Sequence, residues 1–222
     1  MTPMINSILT YIVVDILCIA FSAFIIEKLT TDIGSELEIR ILKSMLYIFL
    51  AYSSFDIAWV LGEYGYMPYY IRCVNGIVCF LSIFLITVLA FMTFIYTEIR
   101  LKTSFTKKRE LWIISALPLI FSLVMCISSY YTGWIYYITP DNRYERGPHY
   151  CWQIAVVFFY FGVAVFRALY CGSKERLPMR RHATFSLAFS IIVSVIIGSL
   201  QIFIRGTPLI GIAIVSAFFI TF

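Results

Sequence analysis

The stretch Thr139-Pro140-Asp141-Asn142-Arg143-Tyr144-Glu145-Arg146-Gly147-Pro148-His149-Tyr150-Cys151-Trp152-Gln153 decides how this chain is read. It sets Asp141, Arg143, Glu145, Arg146 and His149 among Pro, Gly and Tyr, while the sequence on either side is close to continuous hydrocarbon. A charged side chain at the centre of a bilayer costs about 2.5–3.5 kcal/mol on insertion scales. The stretch therefore belongs in water and its flanks in lipid.

Composition agrees. Hydrophobic residues make up 61% of 222 and charged residues 13%, with a mean hydropathy of +0.90. A soluble domain averages about 45–50% apolar and about 25% charged. The excess marks an all-α integral membrane protein, because lipid-facing helix surfaces need no polar cover. The net charge of +5 then reads as loop topology, and no nucleic acid partner is implied. The first apolar run has no basic residue before it and carries Asp15 at its centre, so it reads as a retained helix and not as a cleaved signal.

Apolar runs bounded by charged or Pro/Gly-rich loops predict a seven-helix bundle over residues 6–26, 41–62, 69–99, 111–138, 152–172, 183–204 and 209–222, with a kink at Pro118. From Leu209 to Phe222 the last run covers about 21 Å, against a hydrocarbon core of about 30 Å. The expectation is a helix that continues into a cytoplasmic effector domain after residue 222. With the N-terminus outside, the inner loops collect Lys28, Arg40, Lys43, Arg100, Lys102, Lys107, Lys108, Arg109, Lys174, Arg176, Arg180 and Arg181. The outer ones hold only Arg72, Arg143, Arg146 and Arg205. That asymmetry places the N-terminus outside, the C-terminus in the cytoplasm, and 139–153 as the longest outer loop.

Polar residues recur on single helix faces: Ser7, Tyr11, Asp15, Cys18 and Ser22; Tyr52, Asp56, Trp59 and Glu63; Arg72, Asn75, Cys79 and Ser82; Gln153, Tyr160 and Arg167; Ser190, Ser194, Gly198, Gln201 and Arg205. In a bilayer such faces turn toward the bundle or an aqueous cavity. Glu63, Arg72, Gln153 and Arg205 fall at the outer rim, and Arg167 at a depth from which it can snorkel inward. The Ser/Gly face of the sixth helix reads first as close helix packing. Trp112, Trp134, Tyr136 and Tyr137 read as an interfacial belt. Asp15 admits a functional and a structural reading equally.

The expected ligand site lies beneath the polar loop. Trp59, Tyr144, Tyr150 and Trp152 would form its aromatic walls, and Asp56, Glu63, Arg72, Arg146 and Gln201 its polar anchors. Cys73 and Cys151 both fall at outer helix ends and form the candidate disulfide pair. His149 and His182 lie at opposite ends, and the sequence contains no His-Glu-x-x-His, Gly-x-Ser-x-Gly or Cys-x-x-Cys. No catalytic residue, metal or cofactor is assigned.

Three segments carry a resemblance: Asp56-x-x-Trp59-x-x-Gly62, Arg146-Gly147-Pro148-x-Tyr150, and Gly206-Thr207-Pro208-Leu209-Ile210. In layout and in these motifs the chain resembles bacterial seven-helix sensor modules that precede GGDEF diguanylate cyclase domains or histidine kinases. The resemblance implies a multi-pass plasma-membrane receptor for an extracellular small molecule, commonly a homodimer, with output through helix 7 to a cytoplasmic enzyme, such as one making cyclic di-GMP. The same residues also admit a small-solute transporter, or a membrane scaffold without a ligand.

Overall fold

The computed structural model describes the backbone of residues 2–29, 36–64, 69–103, 105, 108–140, 143–203 and 209–221, and the side chains within 8–29, 36–62, 73–103, 105, 108–140, 143–200 and 209–217. The described residues form seven helices and one two-stranded hairpin, in the order α1 (Thr2–Lys28), α2 (Glu36–Tyr64), α3 (Tyr69–Arg100), α4 (Arg109–Thr132), β1 (Tyr136–Ile138), β2 (Tyr144–Arg146), α5 (Tyr150–Lys174), α6 (Pro178–Phe203) and α7 (Leu209–Thr221). Helices α1 to α6 are each long and apolar enough to cross a membrane. The 13 residues of α7 rise roughly 20 Å.

The expected all-helical bundle is present, and the sequence places its helices with one error of substance. The apolar run after residue 111 predicts a helix to residue 138, but α4 stops at Thr132. Gly133 adopts the left-handed conformation, φ 67°, and its N–H bonds Ser129 O at 2.8 Å. Glycine takes that conformation without Cβ strain, so the chain can turn out of the helix there. Beyond the turn the chain forms an antiparallel hairpin, pairing Tyr136 with Arg146, Tyr137 with Glu145 and Ile138 with Tyr144.

Helix contacts close a ring of α1, α2, α3, α5, α6 and α7, with α7 returning to α1 and α4 packed outside the ring, mainly on α3. The ring is filled by Leu46 and Phe49 of α2, Ile95 of α3, Ala164 of α5, Leu187 of α6 and Val215 of α7. The outer surface carries Ile113, Leu117, Ile120, Val124 and Ile127 of α4 and Val13, Ile16 and Leu17 of α1. Apolar side chains exposed along whole helices are stable only against lipid or another apolar surface.

Buried polar bridges tie the ring together. Gln153 is not a rim residue: it is buried between helices, where its side-chain carbonyl accepts from Ser122 of α4 at 2.8 Å and its amide donates to Thr87 of α3 at 2.5 Å. Nor does Arg167 snorkel. It makes a two-bond ion pair with Glu98, Nε to Oε1 at 2.6 Å and Nη2 to Oε2 at 2.9 Å, joining α5 to α3 far from the hairpin. Glu98 also accepts from Thr103 Oγ1 at 2.5 Å. A buried carboxylate needs this partnering, because removing it from water costs several kcal/mol.

Candidate functional site

The hairpin is anchored from beneath by one hydroxyl. Ser129 Oγ, in the last turn of α4, donates to Tyr136 O at 2.8 Å and accepts from the N–H groups of Ile135 and Tyr136 at 3.0 and 2.9 Å. Tyr136 OH donates to Gly76 O of α3 at 3.2 Å. Tyr136 is fully packed against α3, so it is part of the lid and not of an interfacial belt. On the return, Gly147 N–H bonds Ile135 O and His149 N–H bonds Trp134 O, both at 2.8 Å. A Cβ at Gly147 would stand 2.2 Å from Gly133 O and 2.3 Å from Trp134 O, so only glycine fits between the two backbone passes.

Strand alternation decides which side chains reach the cavity below. Tyr137 and Glu145 face away from the bundle and meet each other, Tyr137 OH donating to Glu145 at 3.4 Å. Their neighbours Tyr144 and Arg146 turn inward. The Tyr144 ring meets the Trp59 indole edge-on at 5.0 Å and stacks on Tyr136 at 6.4 Å. The Arg146 guanidinium lies 5.0 Å from the centre of the Tyr150 ring, a favourable cation–π distance. Burial, with Tyr150 beside it, pushes the Tyr144 phenol well above its usual range, so it is neutral at physiological pH.

These residues cover a cavity of about 110 Å³. Asp56 and Trp59 of α2, Cys79 and Ser82 of α3, Tyr144 and Arg146 of β2 and Tyr150 of α5 line it, and Gly198 and Ile210 close it from α6 and α7. Asp56 is held by two phenols on one oxygen: Tyr11 of α1 donates to Oδ2 at 2.7 Å and Tyr52 at 3.4 Å. Among the described residues Asp56 and Arg146 form no ion pair with each other, although both face this space. Trp59 Nε1 and Ser82 Oγ are buried with no hydrogen-bond partner there. Buried donors are nearly always bonded, so two that are open among the described residues are placed to meet an acceptor in the cavity.

One turn further in, Asp15 of α1 is completely buried, and neither of its oxygens has a partner among the described residues. It packs against α7, where a Cβ on Gly211 would come within 3.3 Å of Oδ1. Four residues of the expected polar face of α1, Tyr11, Asp15, Cys18 and Ser22, are buried, and the side chain of Ser7 lies outside the described residues.

Of the residues expected to bind ligand, Asp56, Trp59, Tyr144, Arg146 and Tyr150 meet around this one cavity. Trp152 does not: it is exposed on the outside of α5, two residues past Tyr150 and therefore on another face of the helix. The side chains of Glu63, Arg72 and Gln201 lie outside the described residues, as do Gly206, Thr207 and Pro208. Cys73 and Cys151 are both exposed free thiols in this structure, and the hairpin is fastened to α3 through Tyr136. Ser129 escapes the sequence reading because its role depends on a hairpin, for which Thr132-Gly133 and Thr139-Pro140-Asp141-Asn142 are the available signals.

The chain matches no protein family model, no curated protein and no solved structure. Its functional reading rests on the site.

Proposed function

We propose that this chain is the membrane-embedded, ligand-binding part of a receptor. In this reading all seven helices cross the membrane, the N-terminus and the hairpin face outward, and a small extracellular solute binds in the cavity beneath the hairpin. The observation that carries it is the state of the cavity wall. An acid, a guanidinium, an indole N–H and a hydroxyl face one partly open cavity, and among the described residues none of them is paired with another. A cavity serving packing alone would be lined by apolar groups, or by polar groups bonded to each other.

Binding would draw the hairpin, α2 and α3 together against α6 and α7, which meet the cavity at Gly198 and Ile210. The ligand shifts the bundle only by its differential affinity for two helix arrangements. The resemblance to sensor modules supplies the output: α7 would continue into a cytoplasmic domain, a diguanylate cyclase or histidine kinase, in a homodimer. The test is a thermal-shift screen of small polar metabolites on the purified chain, with Arg146→Gln and Trp59→Phe alongside. The expected result is a solute that stabilises the unmodified chain and loses its effect in both variants. A solute that stabilises all three equally would place binding elsewhere.

A small-solute carrier is the second reading, favoured by the unpartnered Asp15 near the middle of α1. Uptake by proteoliposomes containing only this chain would select it.

A further inference from the structure

Resting on the receptor reading, we infer that the ligand is a zwitterion with an apolar substituent, of the α-amino acid type, bound with its ammonium at Asp56 and its carboxylate at Arg146. The charge balance of the cavity points there. Among the described residues its lining presents one acid and one guanidinium that do not neutralise each other, with Asp15 buried behind Asp56 and outside the lining. A simple anion entering would sit beside an uncompensated Asp56, and a simple cation beside Arg146. Either arrangement carries the penalty of an unmatched charge away from water. A zwitterion satisfies both ends at once. Asp56 Oδ2 is held by Tyr11 and Tyr52, which leaves Oδ1 for an ammonium. The open donors Trp59 Nε1 and Ser82 Oγ match the acceptor-only character of a carboxylate.

The apolar substituent is indicated by a second chamber, about 140 Å³, that borders the first. Ile83, Ile86, Tyr150, Gly198 and Ile210 border both. Its polar residues are already engaged. Gln153 bonds Ser122 and Thr87, Ser194 bonds Ala213 O and Ser190 O, and Ser199 bonds Val195 O. The chamber therefore offers a ligand only hydrocarbon and aromatic surface, chiefly from Leu89, Val157, Phe161 and Ile214. Gly198 borders both chambers, and a Cβ there would meet nothing nearer than Ile210 Cγ1 at 3.8 Å. There is room for a Cβ at that position, and a larger side chain there would take up space at the border of the two chambers.

The experiment is calorimetric titration of the full chain in lipid nanodiscs with L-phenylalanine, L-leucine, glycine, hydrocinnamate and phenethylamine. L-Phenylalanine or L-leucine should bind most tightly. Hydrocinnamate, which lacks the ammonium, phenethylamine, which lacks the carboxylate, and glycine, which lacks the apolar group, should each be weaker by about tenfold or more. Asp56→Asn should erase the preference over hydrocinnamate and Arg146→Gln the preference over phenethylamine. Gly198→Val should shift the preference toward glycine.

Hydrocinnamate or phenethylamine binding as tightly as L-phenylalanine would overturn the zwitterion. Glycine binding as tightly would overturn the apolar limb. The comparison among ligands uses the unmodified chain and stands even if Asp56→Asn fails to fold. If no amino acid binds but another solute binds in an Arg146-dependent way, the zwitterion is wrong and the receptor reading survives. If nothing binds, and Ser82→Cys is inert to small thiol reagents added outside, both fall.

Discussion

Ser129 is a single hydroxyl with three hydrogen bonds, and it shows how far one buried polar atom can organise a lid. It caps the N–H groups of Ile135 and Tyr136 and satisfies the carbonyl of Tyr136, the first residue of β1. In Ser129→Ala those groups stay buried with no partner, and each orphan costs about 1–3 kcal/mol. The expected loss is about 3 kcal/mol or more, read as a lower unfolding temperature with secondary structure retained. Hydrogen exchange should rise first at Ile135 and Tyr136. An equal rise across α4 would mean that the hydroxyl supports the helix and not the hairpin. Gly147 imposes the complementary requirement: there the hairpin needs an atom to be missing.

Pro118 breaks α4 locally, and the repair comes from α5. The proline has no N–H for the helix ladder, and its ring crowds the preceding turn. Tyr160 OH inserts beside it: it accepts from Leu119 N–H at 2.9 Å and donates to Ser115 O at 2.7 Å, joining two groups that an undistorted helix would bond directly. In hydrocarbon no water can substitute. Tyr160→Phe should therefore cost about 1–3 kcal/mol while preserving ring contacts with Phe91 and Phe94. Adding Pro118→Ala should recover most of that loss, measured by unfolding in detergent. Failure to recover it would show that Tyr160 stabilises by some route other than the break in α4. The proline and the tyrosine are both visible in sequence as a kink and a polar-face residue, but their pairing is not, because 41 residues separate Leu119 from Tyr160.

For the molecule as a whole the free thiols report orientation. Cys73 and Cys151 are exposed at the hairpin end, and Cys171 is half-buried near the opposite end of α5. With the hairpin outside, a membrane-impermeant maleimide added to intact cells should label Cys73 and Cys151 without reductant, and Cys171 only after permeabilisation. The reverse pattern would invert the proposed topology. A requirement for reductant would show that the two outer thiols pair in the cell.

The helices, their polar faces and five of the cavity residues are legible in the sequence because both membrane burial and helix periodicity are local properties. Asp56 and Trp59 share a face by spacing alone. Four things required the tertiary structure. The hairpin replaces the end of the expected fourth helix, because a glycine cap and a close backbone crossing outweigh the apolar run. Trp152 turns outward, because the entry into α5 sets its phase. Arg167 binds Glu98, because α3 and α5 are neighbours in the ring and far apart in the chain. And Asp56 and Arg146, 90 residues apart, face one cavity without pairing, an arrangement that depends on how five helices and a hairpin close around it.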